Sequence, residues 1–456
     1  MFSATVSAPT NIACVKYWGK KSVALNTPIN SSVSVTLDQN DLKAVTTVCV
    51  SKSFKKDRLW LNGTEEDVTK SKRFMACISG VKRLATTKVS TEGEVLVDKS
   101  EWKHFGVHVS SMNTFPTAAG LASSAAGYAA LVAGLAEVFG AKETYPGELS
   151  TIARQGSGSA CRSLYGGFVA WRMGKDHDTG EDSLAQQVCD ENHWPELRAL
   201  ILVVSDEKKD TSSTEGMSTS VNTSKLLGYR ASTVVDERMR SIEKAYTERD
   251  FETFGKITMQ DSNQFHATCL DTYPPIFYMN DVSKSVIKIV HAYNRWKGKV
   301  AAAYTFDAGP NAVIYHLEDV ADELLALMLQ YFPDDKFLGS LFGSSFVNNP
   351  QAWDRAKAFG LDDELLRMCD AKGRARGMGG DVKKIYITKS GPGPIVLSKE
   401  EALLDPETGL NCYVKGVAGD GGGVALGLFG LGLIGFGFVV LGGAGLVLGG
   451  GRGGKK

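Results

Sequence analysis

The chain lacks any surplus of charge: its 51 lysines and arginines balance 51 aspartates and glutamates. That balance excludes a general electrostatic attraction for nucleic acid or anionic lipid, so any anion bound here must meet a local cluster. No CxxC pair occurs, and the eight cysteines (Cys14, Cys49, Cys77, Cys161, Cys189, Cys269, Cys369, Cys412) are scattered without zinc-like spacing. Most have apolar neighbours, which fits buried, reduced thiols. The N-terminal segment has no basic stretch followed by an apolar core, so no secretory signal is expected. The Asn-X-Ser/Thr triplets at Asn30, Asn62 and Asn222 are accordingly expected to stay unmodified, and a cytoplasmic location is expected. No glycine loop ends in GK[ST], no GxGxxG follows a strand pattern, and no internal repeat is visible.

What is present is an ordinary globular composition, 43% apolar and 22% charged, in 456 residues, enough for two domains. Residues 1–111 read mostly as strands, with β-branched runs at 33–37, 44–50 and 107–109 and a hairpin turn at Asn62-Gly63. A helical stretch interrupts them at about 67–84. Residues 118–139 are alanine-rich and apolar on nearly every face, so that helix must be buried. A short helix near 149–155 leads into a Gly/Ser loop, and 164–171 returns as a strand. In the second half, 200–204 reads as a central strand. Helices follow at about 229–247, 251–268, 281–297 and 319–331, with strands at 300–306, 312–317 and 384–388. The expected class is therefore α+β, in an N-terminal domain over 1–195 and a C-terminal domain over 196–411. The boundary falls near 190–198, where Asp190-Glu-Asn-His-Trp-Pro interrupts the pattern.

Residues 412–456 form a glycine-rich tail, with an uncharged apolar run over 424–448. Its length is compatible with a bilayer of roughly 30 Å, yet each glycine disfavours a helix by about 1 kcal/mol. A low-complexity tail is the expectation. Any membrane contact is expected through 424–448 alone.

Four clusters carry chemistry. Pro116–Gly127 is a small-residue loop running into a helix N-terminus, where free N–H groups and the helix dipole favour anions; Ser123 and Ser124 add hydroxyls. The same spacing fits a small-residue helix packed tightly on a sheet. Gly156–Arg162 offers two serines and an arginine within seven residues, suited to an oxyanion but also readable as a flexible turn. Lys16, Lys20 and Lys21 with Tyr17 and Trp18 form a basic and aromatic group that suits a phosphorylated ligand or a solvated turn. Asp307 follows an apolar strand and precedes Ala-Gly-Pro, a common place for a catalytic carboxylate and equally for a turn-forming aspartate.

In this order, these segments resemble the superfamily of galactokinase, homoserine kinase, mevalonate kinase and phosphomevalonate kinase. Within it the chain is similar to the diphosphomevalonate (mevalonate diphosphate) decarboxylases over about residues 3–413. The resemblance rests on 11–20 (NIACVKYWGK), 25–32 (LNTPINSS), 115–124 (FPTAAGLASS), 155–162 (QGSGSACR), 261–266 (DSNQFH) and 306–311 (FDAGPN). It implies a two-domain small-molecule kinase superfamily fold: an N-terminal mixed sheet with buried helices and a C-terminal α/β sandwich-like domain. The tail has no counterpart in it.

The implied reaction converts (R)-5-diphosphomevalonate and ATP to isopentenyl diphosphate, ADP, phosphate and CO2, within the mevalonate pathway of isoprenoid and sterol biosynthesis. The resemblance places Asp307 on the tertiary 3-hydroxyl, with Lys16 beside it holding the carboxylate charged. It assigns substrate binding to Tyr17, Trp18, Gly19, Lys20, Arg73, Ser157, Gly158, Ser159, Ala160, Cys161, Arg162 and Thr214. Gly120, Ser123 and Ser124 take the ATP phosphates. Mg2+ is expected to arrive with ATP, with Ser123 or Ser124 in reach of it, and no fixed protein cage for a metal is expected. A homodimer and no nucleic-acid partner are implied as well. Two rivals are a kinase that stops at phosphorylation and a non-catalytic ligand sensor on the same fold. A third is an enzyme anchored through its tail.

Overall fold

Two strands, Asn11–Val15 and Ala302–Phe306, end against one helix, Phe251–Asp271, and this convergence organises the molecule. The computed structural model describes residues 1–115, 123–205, 210–334, 346–371 and 380–412. Met1–Lys415 cluster as one compact unit. The architecture is α+β with several sheets and buried helices, as expected.

A six-stranded sheet runs in the order Ile395–Val396, Phe2–Pro9, Lys43–Ser51, Gly106–Asn113, Arg58–Leu61 and Thr64–Glu66. It is mixed: Gly106–Asn113 pairs parallel with Arg58–Leu61 and antiparallel with Lys43–Ser51. The turn expected at Asn62-Gly63 joins Arg58–Leu61 to Thr64–Glu66, and both residues take positive φ, 48° and 82°. Against this sheet lies the alanine-rich helix Ser123–Phe139. Its small residues permit close approach, with a Cβ on Gly134 falling 3.0 Å from Val48. A four-stranded antiparallel sheet, Ala185–Cys189, Phe168–Trp171, Ser32–Thr36 and Asn11–Val15, brings Asn11 to the site.

The third sheet is antiparallel, in the order Ala302–Phe306, Ala312–Leu317, Leu197–Val203 and Lys384–Lys389. Leu197–Val203 lies inside it, and Leu200, Ile201 and Leu202 are fully enclosed, as their uninterrupted apolar run requires. The largest hydrophobic cluster joins this sheet to Ile12, Val15, Val33 and Phe168 of the second one.

Several expected boundaries shift. The helix expected over 229–247 starts as Lys225–Tyr229, passes through a π turn at Arg230–Val234 and resumes as Val235–Thr247. The strand expected from 164 begins at Phe168, because Gly158–Leu164 forms a 3-10 helix. Unanticipated elements include the strand Ala185–Cys189 and the helices Ser213–Thr223, Pro350–Ala358 and Asp363–Asp370. None of the eight cysteines, all among the described residues, forms a disulfide; six are buried, Cys189 is partly so and Cys412 is exposed. Among the described residues no helix is long and apolar enough to cross a membrane, and the 424–448 run lies outside them.

Candidate active site

Lys16 is the first residue past Asn11–Val15, and Asp307 the first past Ala302–Phe306. Strand ends on rigid sheets hold such side chains with little freedom. Lys16 Nζ lies 2.6 Å from Asp307 Oδ1; the lysine side chain is 3% exposed and the aspartate 31%. An ammonium removed from water this completely requires a paired carboxylate nearby.

The backbone of Lys16 is fixed as firmly as its side chain. Its amide donates to Asp261 Oδ2 at 2.7 Å, and its carbonyl accepts from Asn30 Nδ2 at 3.0 Å and Arg230 Nη2 at 3.1 Å. Asp261 is fully enclosed and receives Arg230 through both carboxylate oxygens, at 2.7 and 2.8 Å, and Arg238 at 2.9 Å. Burial alone would raise its pKa, but the charges and hydrogen bonds of these partners outweigh burial and hold it below the ordinary carboxylate value.

The anion-suited wall begins where the helix Glu148–Gly156 ends and the 3-10 helix Gly158–Leu164 starts. Arg162 is 1% exposed; its Nε donates to Ser34 Oγ (2.9 Å) and Asn11 Oδ1 (3.2 Å), Nη1 to Ser32 Oγ (2.7 Å), and Nη2 to Ser159 Oγ (3.2 Å). A guanidinium carries more N–H donors than these partners use, so Arg162 retains hydrogens for a ligand. Gly158 is needed for close approach: a Cβ there would sit 2.8 Å from the Tyr17 ring and 2.9 Å from Trp171. Tyr17 packs on Trp171 at 4.6 Å, and its enclosed hydroxyl has no hydrogen-bond partner among the described residues. Lys20 is half-buried; burial first, and the charge of Arg73 second, pull its pKa down to about 8. Arg73 Nη2 donates to Thr214 Oγ1 at 3.3 Å across the mouth.

Lys16, Tyr17, Lys20, Arg73, Gly158, Ser159, Arg162, Thr214 and Asp307 line one cavity of about 410 Å3, together with Asn11, Asn26, Ser212, Ser213 and Phe265. A second cavity of about 520 Å3 shares Ser123 and Ser124 with the first and continues along Leu59, Leu61, Asn62, Thr64, Asn113 and Tyr128. Ser123 begins the helix Ser123–Phe139, and Ser124 Oγ lies 3.2 Å from Ser157 Oγ, so the two cavities meet at that helix start.

Of the residues expected in the site, Lys16, Tyr17, Trp18, Lys20, Arg73, Ser123, Ser124, Ser157, Gly158, Ser159, Arg162, Thr214 and Asp307 all line the first cavity. Gly19, Ala160 and Cys161 are not among its lining residues. Ala160 and Cys161 are fully enclosed in packing clusters, and Gly19 turns the chain at φ 97° against Ile29. Gly120 lies outside the described residues. Asn11 and Asp261 stood within resembling segments without a role. Asn26 likewise stood within the resembling segment 25–32 without a role, whereas Arg230 and Arg238 carried no sequence signal, since their importance comes from partners distant in the chain.

A family model described as diphosphomevalonate decarboxylase-like N-terminal domain matches residues 8–185, and one described as mevalonate 5-diphosphate decarboxylase C-terminal domain matches 199–397. The diphosphomevalonate decarboxylase of Rattus norvegicus is 51% identical over 409 residues, covering 88% of this chain and 96% of its own. The solved mevalonate diphosphate decarboxylase from Trypanosoma brucei superposes with a TM-score of 0.78 at 36% identity, over 88% of this chain and 100% of that one. A further structure, described as MDDEF in complex with MVAPP, AMPPCP and magnesium, has a TM-score of 0.64 at 27% identity, covering 87% and 99%.

Proposed function

The chain belongs to the diphosphomevalonate decarboxylase family, and from that premise we propose how its two cavities divide the ATP-dependent decarboxylation of mevalonate diphosphate. The observation that carries the assignment is the Lys16–Asp307 pair, its lysine buried and its aspartate partly exposed, in a cavity lined by cationic and hydroxyl side chains. Asp307 accepts the hydrogen of the substrate's 3-hydroxyl, orienting or removing it, while Lys16 steadies the negative charge there. The hydroxyl oxygen then attacks the γ-phosphorus of ATP, the bond to ADP breaks, and ADP carries the electron pair away. In the 3-phosphorylated intermediate the original C3–O bond then breaks, phosphate leaves with the electron pair, and a cation-like carbon remains β to the carboxylate. The carboxylate's C–C bond supplies its pair to the new double bond, CO2 departs, and isopentenyl diphosphate remains.

Arg162, Ser157, Ser159, Tyr17, Lys20, Arg73 and Thr214 bind the charged ends of the substrate in this reading. The triphosphate lies across Ser123 and Ser124, and the more apolar second cavity takes the nucleoside. The shared serines support this, since they let a γ-phosphate reach the first cavity from the second. The helix N-terminus suits the phosphate oxygens, and hydroxyl oxygens suit the hard cation those phosphates carry in, so Ser123 or Ser124 would be the protein donor to Mg2+. When bound, Mg2+ neutralises charge on the transferred phosphoryl group. The complex of a relative with AMPPCP and magnesium supports this use. The same reading assigns the phosphate loop to residues 1–195 and Asp307 to 196–411, and includes a cytoplasmic homodimer.

Purified protein incubated with (R)-5-diphosphomevalonate and Mg2+-ATP is expected to release ADP and CO2 in equal amounts. ADP without CO2, with a stable phosphorylated product, would replace the decarboxylase reading with a kinase that stops at transfer.

A further inference from the structure

Lys20 stands on a sheet too small to hold itself. Among the described residues, the strands Lys20–Ser22 and Thr27–Pro28 pair only with each other. A two-stranded ribbon of that length is marginal in water. Within it the Ser22 amide donates to Thr27 Oγ1 and the Leu25 amide to Ser22 Oγ, both at 3.2 Å. Val23 at the tip is 75% exposed, so its burial contributes little.

The turn is held from outside. Arg154, 1% exposed, lies in the last turn of the helix Glu148–Gly156. Its Nε donates to the Leu25 carbonyl at 3.2 Å, and its Nη1 to the carbonyls of Gly180, at 2.8 Å, and Ser183. In return, Asn26 Nδ2 donates to the Arg154 carbonyl, one of those that a helix end leaves without a partner inside the helix. Among the described residues, these two bonds between Arg154 and the turn are the hydrogen bonds that tie 23–26 to the chain beyond the hairpin. The same helix leads into Gly158–Leu164, so one element carries the anion-suited wall and holds the hairpin that bears Lys20.

Asn26 is 3% exposed, lines the first cavity and has φ 53°. Glycine adopts that conformation freely, so the turn alone does not require a side chain here. The enclosed Oδ1 of Asn26 has no hydrogen-bond partner among the described residues. What asparagine adds is therefore the bond from Nδ2 to Arg154.

We propose that Arg154 and Asn26 are positioning residues for substrate binding, latching the hairpin 20–28 so that the Lys20 ammonium stands in the cavity to meet a charged end of mevalonate diphosphate. The proposal rests on the assignment of Lys20 to substrate binding made above. Loss of the latch frees a short ribbon to move, and Lys20 then has to be ordered again each time substrate binds. That cost falls on substrate affinity and leaves the ATP side and the Lys16–Asp307 pair untouched.

The test measures kcat and both KM values, per folded protein, for Asn26→Gly, Arg154→Lys, Lys20→Ala and the double variant Asn26→Gly/Lys20→Ala. Asn26→Gly keeps the backbone conformation and removes the donor, so substrate KM is expected to rise about fivefold or more, with kcat and ATP KM within about twofold. Arg154→Lys keeps a charge but loses the fork that reaches three carbonyls, so it is expected to raise substrate KM in the same way and to melt lower. Lys20→Ala is expected to raise substrate KM about tenfold. Adding Asn26→Gly to Lys20→Ala is expected to raise it by less than about twofold more, because the latch acts through Lys20. Wild-type substrate KM in Asn26→Gly overturns the proposal, as does an equal rise in both KM values or an undiminished effect of Asn26→Gly without Lys20. Arg154→Lys carries the same comparison if Asn26→Gly does not fold. If Lys20→Ala raises substrate KM while Asn26→Gly does not, only the latch falls. Unchanged substrate KM in Lys20→Ala overturns the reading beneath it.

Discussion

Arg162 donates to Ser32 Oγ at 2.7 Å and to Ser34 Oγ at 2.9 Å, so the arginine of the anion-suited loop is tied to the neighbouring strand Ser32–Thr36. It is both a cavity wall and a brace. Arg162→Gln is expected to raise the substrate Kd at least about tenfold, since a charge-assisted contact to an oxyanion contributes roughly 1.5–3 kcal/mol. The ATP Kd is expected to stay within about twofold. Stability is expected to fall by about 1–3 kcal/mol as the buried hydroxyls lose their donor. Calorimetric titration and denaturant unfolding measure the two effects separately. A loss of ATP affinity alone would mean the loop holds the other ligand.

Lys20 supplies a pH dependence. With its pKa pulled to about 8, it is cationic below that pH and neutral above it. Only the cation attracts a diphosphate, so substrate KM is expected to rise as pH climbs through about 8, with kcat changing less. Lys20→Arg keeps its charge throughout and is expected to flatten that rise. A KM profile identical in the two proteins would remove Lys20 from substrate binding.

Gly158 tests the packing of the wall. A methyl group 2.8 Å from the Tyr17 ring has to displace Tyr17 from Trp171. Gly158→Ala is expected to destabilise the protein by about 1–3 kcal/mol and to raise substrate KM while leaving ATP KM unchanged. Thermal unfolding and steady-state kinetics check both parts.

Much of this site could be read in the sequence, and the division has a physical basis. Lys16, Arg162 and Asp307 lie in short segments where several chemical groups stand together, so local spacing reveals them. The segment holding Ser123 and Ser124 was legible for the same reason, as small residues precede an apolar run, while the helix start expected at 118 lies outside the described residues. Arg230 and Arg238 were not legible. They act through Asp261, 31 and 23 residues away in the chain, and Arg230 opens a π turn, Arg230–Val234. No periodicity announces such a turn. Ala160 and Cys161 show the opposite effect: they sit inside the loop segment, yet the 3-10 helix Gly158–Leu164 directs them into the core.

The buried Arg230–Asp261 pair predicts a stability effect with a definite sign. Asp261→Asn leaves Arg230, fully enclosed, without its charge partner, which is expected to destabilise the fold by about 3–5 kcal/mol. In the wild type the folded pKa of Asp261 lies below its unfolded value. Its contribution is therefore fully present above the unfolded pKa of about 3.9 and is lost as pH falls toward the folded one. Denaturant midpoints followed from neutral to acid pH are expected to converge for wild type and Asp261→Asn. A constant gap down to the lowest pH would contradict the ion-pair origin of the effect.

The central claim is that Asp307, paired with Lys16, handles the hydrogen of the substrate's 3-hydroxyl. Its most direct test is ADP and CO2 release by Asp307→Asn under saturating substrate and Mg2+-ATP, with both affinities measured on the same preparation. Turnover is expected to fall by at least about a thousandfold, within the range for removing a general base, with the fold intact and ATP affinity nearly unchanged. A variant that keeps more than about a tenth of the wild-type rate contradicts the claim, because a carboxamide cannot accept that proton at neutral pH.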